Sequence, residues 1–419
     1  MTLPNFDELI EKYAATILRA GINQQPGETT IIQADIDQAP LVRALSAQAW
    51  ALGARDVIVR WGDAEIGKSR LENASDEVLG TTGYAAAAFD DFCEEVNPNL
   101  IFVKSSGPSE LAGVDIEKIK ISNRTAEAAQ PKRRKLTGAG KMPWIIVGAA
   151  SENWAHDVFP DLPVSEAVDK LWEAIFFTSR VSFGDPLKNW EDHAYKLGKT
   201  ADLLTSYQFD HILYRAEGTD LKIGLGGDRI WISAGGMSGA SKKEYIPNIP
   251  TEEIFTTPDF HRVDGVVRAT KPLNYSGNLV DDFELTFKDG RVVDYKARVG
   301  QEVLASIIEA DEGAHFLGEL ALVPIDTPIN ESGLLFLMTL FDENASNHLA
   351  VGRGYPAGVI AGPDMNDEEL REAGVNYSSM HVDFMVGSDK TDIDGVTADG
   401  EVVPIFRNGK WTDEIANQL

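Results

Sequence analysis

ELTFKDGRVVDYKA, residues 284–297, carries Asp289–Gly290 between two strand-like runs. Asp-Gly is a strong two-residue hairpin signal, because Gly accepts the positive φ that a type I′ turn requires. TADGEVVPIF repeats the pattern at Asp399–Gly400, and LKIGLGGDRIWIS reads as two strands around Gly226–Gly227–Asp228. GQEVLASIIEADEGA supplies a helix. The second half of the chain is therefore expected to be an α+β, mainly antiparallel domain. The glycines of GLGGDR precede a strand in this reading rather than a helix, which argues against a nucleotide-binding loop.

Toward the N-terminus the pattern changes. Phe6, Leu9, Ile10, Tyr13, Ile17 and Leu18 share one helical face. A helix is expected around Leu41–Leu52. Between and beyond these helices fall four apolar strand candidates: TTIIQA (Thr29–Ala34), DVIVRW (Asp56–Trp61), LIFVKS (Leu100–Ser105) and WIIVGA (Trp144–Ala149). Strands alternating with helices predict an α/β domain with a parallel sheet. Gly184–Asp185–Pro186 and the Trp190–His193 segment read as the junction. The expected domains are 1–188, covering the site, and 189–419, carrying the chemistry.

The 419 residues exceed one ordinary core, and 43% hydrophobic with 25% charged is a globular composition. A net charge of −28 opposes nucleic acid and anionic membrane as partners. Lys132–Arg133–Arg134–Lys135 is the basic exception and reads as a solvated loop rather than a phosphate site. No apolar stretch is long enough for a membrane span. MTLPNFDELIEKY lacks the features of a secretory signal. Cys93 is the sole cysteine, so neither an internal disulfide nor a thiolate metal cage can form. A cytoplasmic protein is expected.

Polar residues in apolar strands point to chemistry. In SSMHVDFMVGS (378–388), His381 and Asp383 share one face of a strand while Val382 and Phe384 occupy the other. Such a pair either binds metal or holds the fold by a hydrogen bond. In FLGELALVP (316–324), Glu319 interrupts an apolar run, and its expected face-mates Leu317 and Ala321 are apolar. A buried carboxylate is costly unless paired or metal-bound. LLFLMTLF (334–341) reads as a strand leading into DENASNHLAVGRGY, which places Glu343, His348 and Tyr355 just beyond a strand end. In NIPTEEIFTTPD (248–259), alternation pairs Glu253 with Phe255 and favours Glu253 over Glu252 for the interior. Carboxylates with imidazoles and no thiolate suit a catalytic two-metal site better than a structural zinc. No compact motif such as HExxH assembles them.

At NIPTEEIFT, FLGELALVP, FDENASNHLA with its GRGY, and NYSSMHVDFMVG, the chain resembles the metal-dependent aminopeptidases of the aminopeptidase T, aminopeptidase S and PepS type. DPLKNWEDHA near the junction fits as well, so the resemblance spans essentially the whole chain. It implies metal ligands at Glu253, Glu319, His348, His381 and Asp383, a catalytic Tyr355, and Glu343 as ligand or base. It implies two divalent cations (zinc, cobalt, manganese or magnesium), peptides with a free N-terminus as substrates, and a homodimer. The competing readings are a metal-dependent amidase or other hydrolase, and a non-catalytic α/β binding protein.

Overall fold

The computed structural model describes residues 3–105, 107–138, 140–233, 236–237, 243–275 and 277–418. They form two compact units, residues 1–191 with 235–250, and residues 192–234 with 251–419.

The first unit is built on strands β1 (Thr29–Asp35), β2 (Asp56–Gly62), β3 (Asn99–Lys104) and β4 (Trp144–Gly148), with the short strand Asn248–Ile249. Their order is β2-β1-β3-β4 followed by Asn248–Ile249, and every pairing is parallel. β1, β3 and β4 are apolar and mostly buried, as expected for parallel strands covered on both faces. β2 lies at the edge and is largely exposed or half-buried. Helix α1 (Phe6–Thr16) continues through a wider turn at Ile17–Gly21. It buries Ile10 and Tyr13, with Ile17 and Leu18 beyond, which is the face legible in the sequence. The Tyr13 hydroxyl donates to the carbonyl of Gly148 at the end of β4 (3.1 Å). Helix α2 (Ala39–Ala51) begins with Pro40 in its first turn, where the missing N–H costs nothing. The α/β class with a parallel sheet is as expected.

The basic run is helical rather than a loop. Pro131–Gly138 forms a helix whose first free N–H groups, on Lys132 and Arg133, donate to the Asp90 carboxylate, each at 3.0 Å. Lys132 pairs with Asp91 and Glu94. The segment read as a junction is helical too: helix α3 spans Pro186–Tyr207 and contains Trp190–His193.

The second unit begins with β5 (Phe209–Ala216), β6 (Thr219–Gly224), β7 (Ile254–Thr256), β8 (Val263–Arg268), β9 (Leu273–Tyr275), β10 (Asn278–Lys288) and β11 (Arg291–Val299). It continues with β12 (Leu317–Leu322), β13 (His348–Gly352), β14 (His381–Met385), β15 (Asp392–Thr397), β16 (Val402–Arg407) and β17 (Lys410–Trp411). A large antiparallel sheet runs β9-β10-β8-β6-β5-β15-β16-β17, and β11 pairs with β10. The β10–β11 hairpin turns at Asp289 (φ 48°) and Gly290 (φ 85°), both left-handed, as a type I′ turn demands. A second antiparallel sheet, β7-β12-β13-β14, carries the site. The α+β, mainly antiparallel class is likewise as expected.

Two expected strands are absent. After Gly224 the chain does not return as a hairpin partner of β6, because β5 and β8 already occupy both edges of that strand. Buried Arg229 instead donates to the carbonyls of Thr257 (2.6 Å) and Ala373 (2.8 Å), which draws the segment away. LLFLMTLF is not a strand either. Residues 334–338 are irregular and Thr339–Asp342 form a short helix. The Asp342 carboxylate accepts the N–H groups of Phe336 (2.8 Å) and Met338 (3.1 Å), a local closure incompatible with extended backbone. Leu337 takes φ 57°, and Phe336 stacks on Phe341. Among the described residues no helix is long and apolar enough to cross a membrane.

Candidate metal centre

The register of the smaller sheet places the polar residues. Phe255 faces Ala321, Ala321 faces His348, Glu319 faces Ala350, Ala350 faces Asp383, and Gly352 faces His381. Residues directly opposite in an antiparallel ladder share a face. Glu319, His348, Asp383 and His381 therefore stand on one face, separated by Ala321, Ala350 and Gly352, which leave room between them. Leu320, Leu322, Leu349, Val351, Val382 and Phe384 take the other face and are buried. Phe384 packs there against Phe283 of the large sheet, with ring centroids 5.7 Å apart.

One detail changes the expected company of Glu319, which keeps Ala321 but loses Leu317. The register shifts between Leu317 and Glu319, so Leu317 faces Val351 on the apolar side. The extra residue is Gly318, where a Cβ would strike the carbonyls of Gly352 and Arg353. Such a bulge re-aims the following side chain. His348 also differs from expectation: it begins β13 rather than lying just beyond a strand end.

Two groups of potential ligands result. In each of Glu253–Glu319–His348 and Glu319–His381–Asp383, one ligand atom per residue lies within 4.8 Å of the others. Glu319 belongs to both. His348 Nε2 is 3.2 Å from Glu253 Oε2. His381 Nε2 is 2.9 Å from Glu319 Oε2 and 3.1 Å from Asp383 Oδ1. His381 Nδ1 donates to the Arg353 carbonyl (2.8 Å), and His348 Nδ1 lies 3.4 Å from the Ser346 carbonyl. Backbone carbonyls thus hold Nδ1 and leave Nε2 facing the carboxylates, an arrangement common around metal-binding imidazoles.

The ionisable groups of the centre act on one another's charge. Burial pushes the Glu319 carboxyl up, and His381 only partly offsets it. Burial and the nearby Asp383 and Glu253 push Glu343 far above the usual carboxylate range. Burial acts to raise Asp383 too, but His381 outweighs it and the net shift is downward. Burial opposes a charged His348, yet Glu253, Asp383 and Glu319 carry it up to about 10. Burial likewise opposes charge on His381, and Tyr355, Asp383 and Glu319 raise it well above its ordinary value. The charge of His381 lowers Tyr355, while burial and the carboxylates raise it further. The Tyr355 ring lies 5.0 Å from that of His381 and 5.6 Å from that of Phe255, and the residue keeps 40% exposure.

A model of the thermophilic metalloprotease (M29) family matches residues 6–411. The chain belongs to that family. Aminopeptidase PepS of Streptococcus thermophilus is 43% identical over 412 residues, covering 98% of this chain and all of the relative (100%). Aminopeptidase AmpS of Bacillus subtilis is 42% identical over 409 residues, with 98% and 100% covered. The structure of wild-type AmpT from Thermus thermophilus superposes with a TM-score of 0.90 at 36% identity, covering 97% of this chain and 100% of that one.

The donor set of this M29 metalloprotease fits divalent cations. Carboxylate oxygens and imidazole nitrogens converge from adjacent strands and from Glu253 just before β7, and uncompensated burial of so many carboxylates would be costly. Glu343 is not in either ligand group among the described residues, although its charge is coupled to theirs. Glu252 is engaged elsewhere: its carboxylate lies 3.4 Å from His193 Nε2, and it is more deeply buried than Glu253. Alternation selected Glu253 for the centre, but the interior holds both. Two supporting residues escaped the sequence reading. Buried Thr257 accepts the N–H of Tyr355 (3.2 Å) and donates to its carbonyl (2.7 Å). Buried Asn344 accepts the N–H of Glu252 (2.7 Å). Both follow a singled-out residue closely, and only the three-dimensional path reveals their partners.

Proposed function

We propose that this M29 metalloprotease is an aminopeptidase that releases N-terminal residues from peptides with the help of two divalent cations. The observation that carries the reading is the shared Glu319: two ligand groups meet at one buried carboxylate. Glu253 and His348 would hold one cation, His381 and Asp383 the other, with Glu319 between. Zinc, cobalt, manganese and magnesium all accept such donors. When bound, the pair would polarise the scissile carbonyl and lower the pKa of an attacking water.

The chain's own residues supply the rest. The carboxylates favour the cationic free amine of a peptide and so select substrates with an unblocked N-terminus. Tyr355 keeps its proton and can donate a hydrogen bond to the oxygen that gains charge. Glu343, a carboxylate close enough to Asp383 and Glu253 to feel their charge, is suited to take a proton from the water and give it to the leaving amine. The resemblance in sequence and the single buried thiol support a homodimer working in the cytoplasm.

The test is hydrolysis of leucine and arginine chromogenic amides before chelation, after it, and after return of each metal. An N-acetylated peptide is the control. Chelator-sensitive, metal-restored activity confined to the free amine is expected. Equal hydrolysis of the acetylated peptide would replace the aminopeptidase with an amidase or endopeptidase.

A further inference from the structure

Glu253 and Glu343 stand outside the β-ladder. The first ladder pair of β7 is Ile254 with Leu322, and Glu343 opens a single 3-10 turn, Glu343–Ala345. Neither carboxylate is positioned by strand pairing, unlike Glu319, His348, His381 and Asp383. One side chain connects the two. Asn344 is fully buried, and its Oδ1 accepts the N–H of Glu252, the residue before Glu253, at 2.7 Å. Its Nδ2 donates to the Leu340 carbonyl at 3.0 Å and reaches Glu343 Oε1 at 3.5 Å. Its own carbonyl accepts the Thr327 hydroxyl at 3.2 Å. The amide is thus held at both ends: its acceptor end is on the Glu253 segment, and its donor end is fixed by the Leu340 carbonyl beside the Glu343 carboxylate.

We infer that Asn344 is a positioning residue that sets Glu253 and Glu343 in place: its acceptor end serves cation binding and its donor end serves turnover. The inference rests on the two-cation reading. Asn and Asp are nearly isosteric, so the two ends can be separated. Asn344→Asp keeps an acceptor for the Glu252 N–H and replaces the donor facing Glu343. Asn344→Ala removes both.

The experiment measures zinc affinity by chelator competition, kcat and KM, and thermal melting, on full-length wild type and both variants. Asn344→Ala is expected to lose about 10-fold or more in zinc affinity and in kcat, the usual cost of removing a partner behind a metal ligand. Asn344→Asp is expected to retain clearly more zinc affinity than Asn344→Ala, with kcat still reduced and KM near wild type. A purely structural role predicts lowered melting temperatures with wild-type zinc affinity and kcat, and that result overturns the inference. If Asn344→Ala does not fold, Asn344→Asp decides alone: an unchanged kcat overturns the inference. Zinc affinity is read without turnover, so an inactive wild type that binds zinc would count against the aminopeptidase reading and not against this one.

Discussion

His381 gives its Nδ1 proton to the carbonyl of Arg353 at 2.8 Å, and this bond aims its Nε2 at Glu319 and Asp383. The carbonyl lies one residue beyond β13, so the end of one strand fixes the tautomer of a proposed ligand on the next. His381→Ala should remove one cation of the pair while His348, on the other side of Glu319, retains the second. Metal analysis of the dialysed variant should show about half the wild-type content. Unchanged content would remove His381 from the ligand set.

Tyr355 lies between the rings of Phe255 and His381, and Phe keeps that ring. Tyr355→Phe should therefore keep its metal. Loss of one oxyanion donor typically costs about 10²–10³ in kcat, and a fall of that order is expected. Loss of metal in this variant would contradict the assignment, because it would make Tyr355 a structural support of the ligands.

Ala350 faces Glu319 on one neighbouring strand and Asp383 on the other. Its small side chain leaves space between two proposed ligands. Ala350→Val should lower metal content and activity together, with a stability loss of about 1–3 kcal/mol from overpacking. Denaturant unfolding and metal analysis check both parts. A fully loaded, fully active Ala350→Val protein would show that the space is not needed.

Without cations, the proton on His348 stabilises the fold. Its pKa rises from 6.5 to about 10: burial opposes the charge, and Glu253 with its neighbours outweighs burial. A group whose folded pKa is raised binds its proton more tightly in the native state than in the unfolded chain. Its stabilisation is complete below pH 6.5 and is lost as pH climbs through about 10. The chelated protein should melt at steadily lower temperatures across that window, and His348→Gln should flatten the slope. A cation competes for the same nitrogen, so cation affinity should rise with pH over the window. Identical pH slopes in wild type and variant would refute the charge on His348.

Much of this was legible in the residues, for identifiable reasons. Period-two alternation placed His381 and Asp383 on one face, and Glu319 stood out as a carboxylate in an apolar run. Asp289–Gly290 announced its turn through backbone sterics. What the residues hid depended on distant partners. Leu334–Phe341 is apolar enough for a strand, but Asp342 folds it back through two backbone hydrogen bonds. The strand expected after Gly226–Gly227 had no free edge to join. Leu317 leaves the face of Glu319 because Gly318 inserts a bulge, and a glycine in a strand signals such a bulge only weakly. The return of residues 235–250 to the first unit has no local signature, since it depends on pairing with a strand about a hundred positions earlier.

Anomalous diffraction at the zinc edge, from crystals of the zinc-loaded protein, tests whether two cations share the Glu319 carboxylate. Two peaks flanking Glu319 are expected, about 3.5–4 Å apart, one beside Glu253 and His348 and the other beside His381 and Asp383. A single peak, or two peaks of which either lies away from Glu319, would contradict a shared carboxylate.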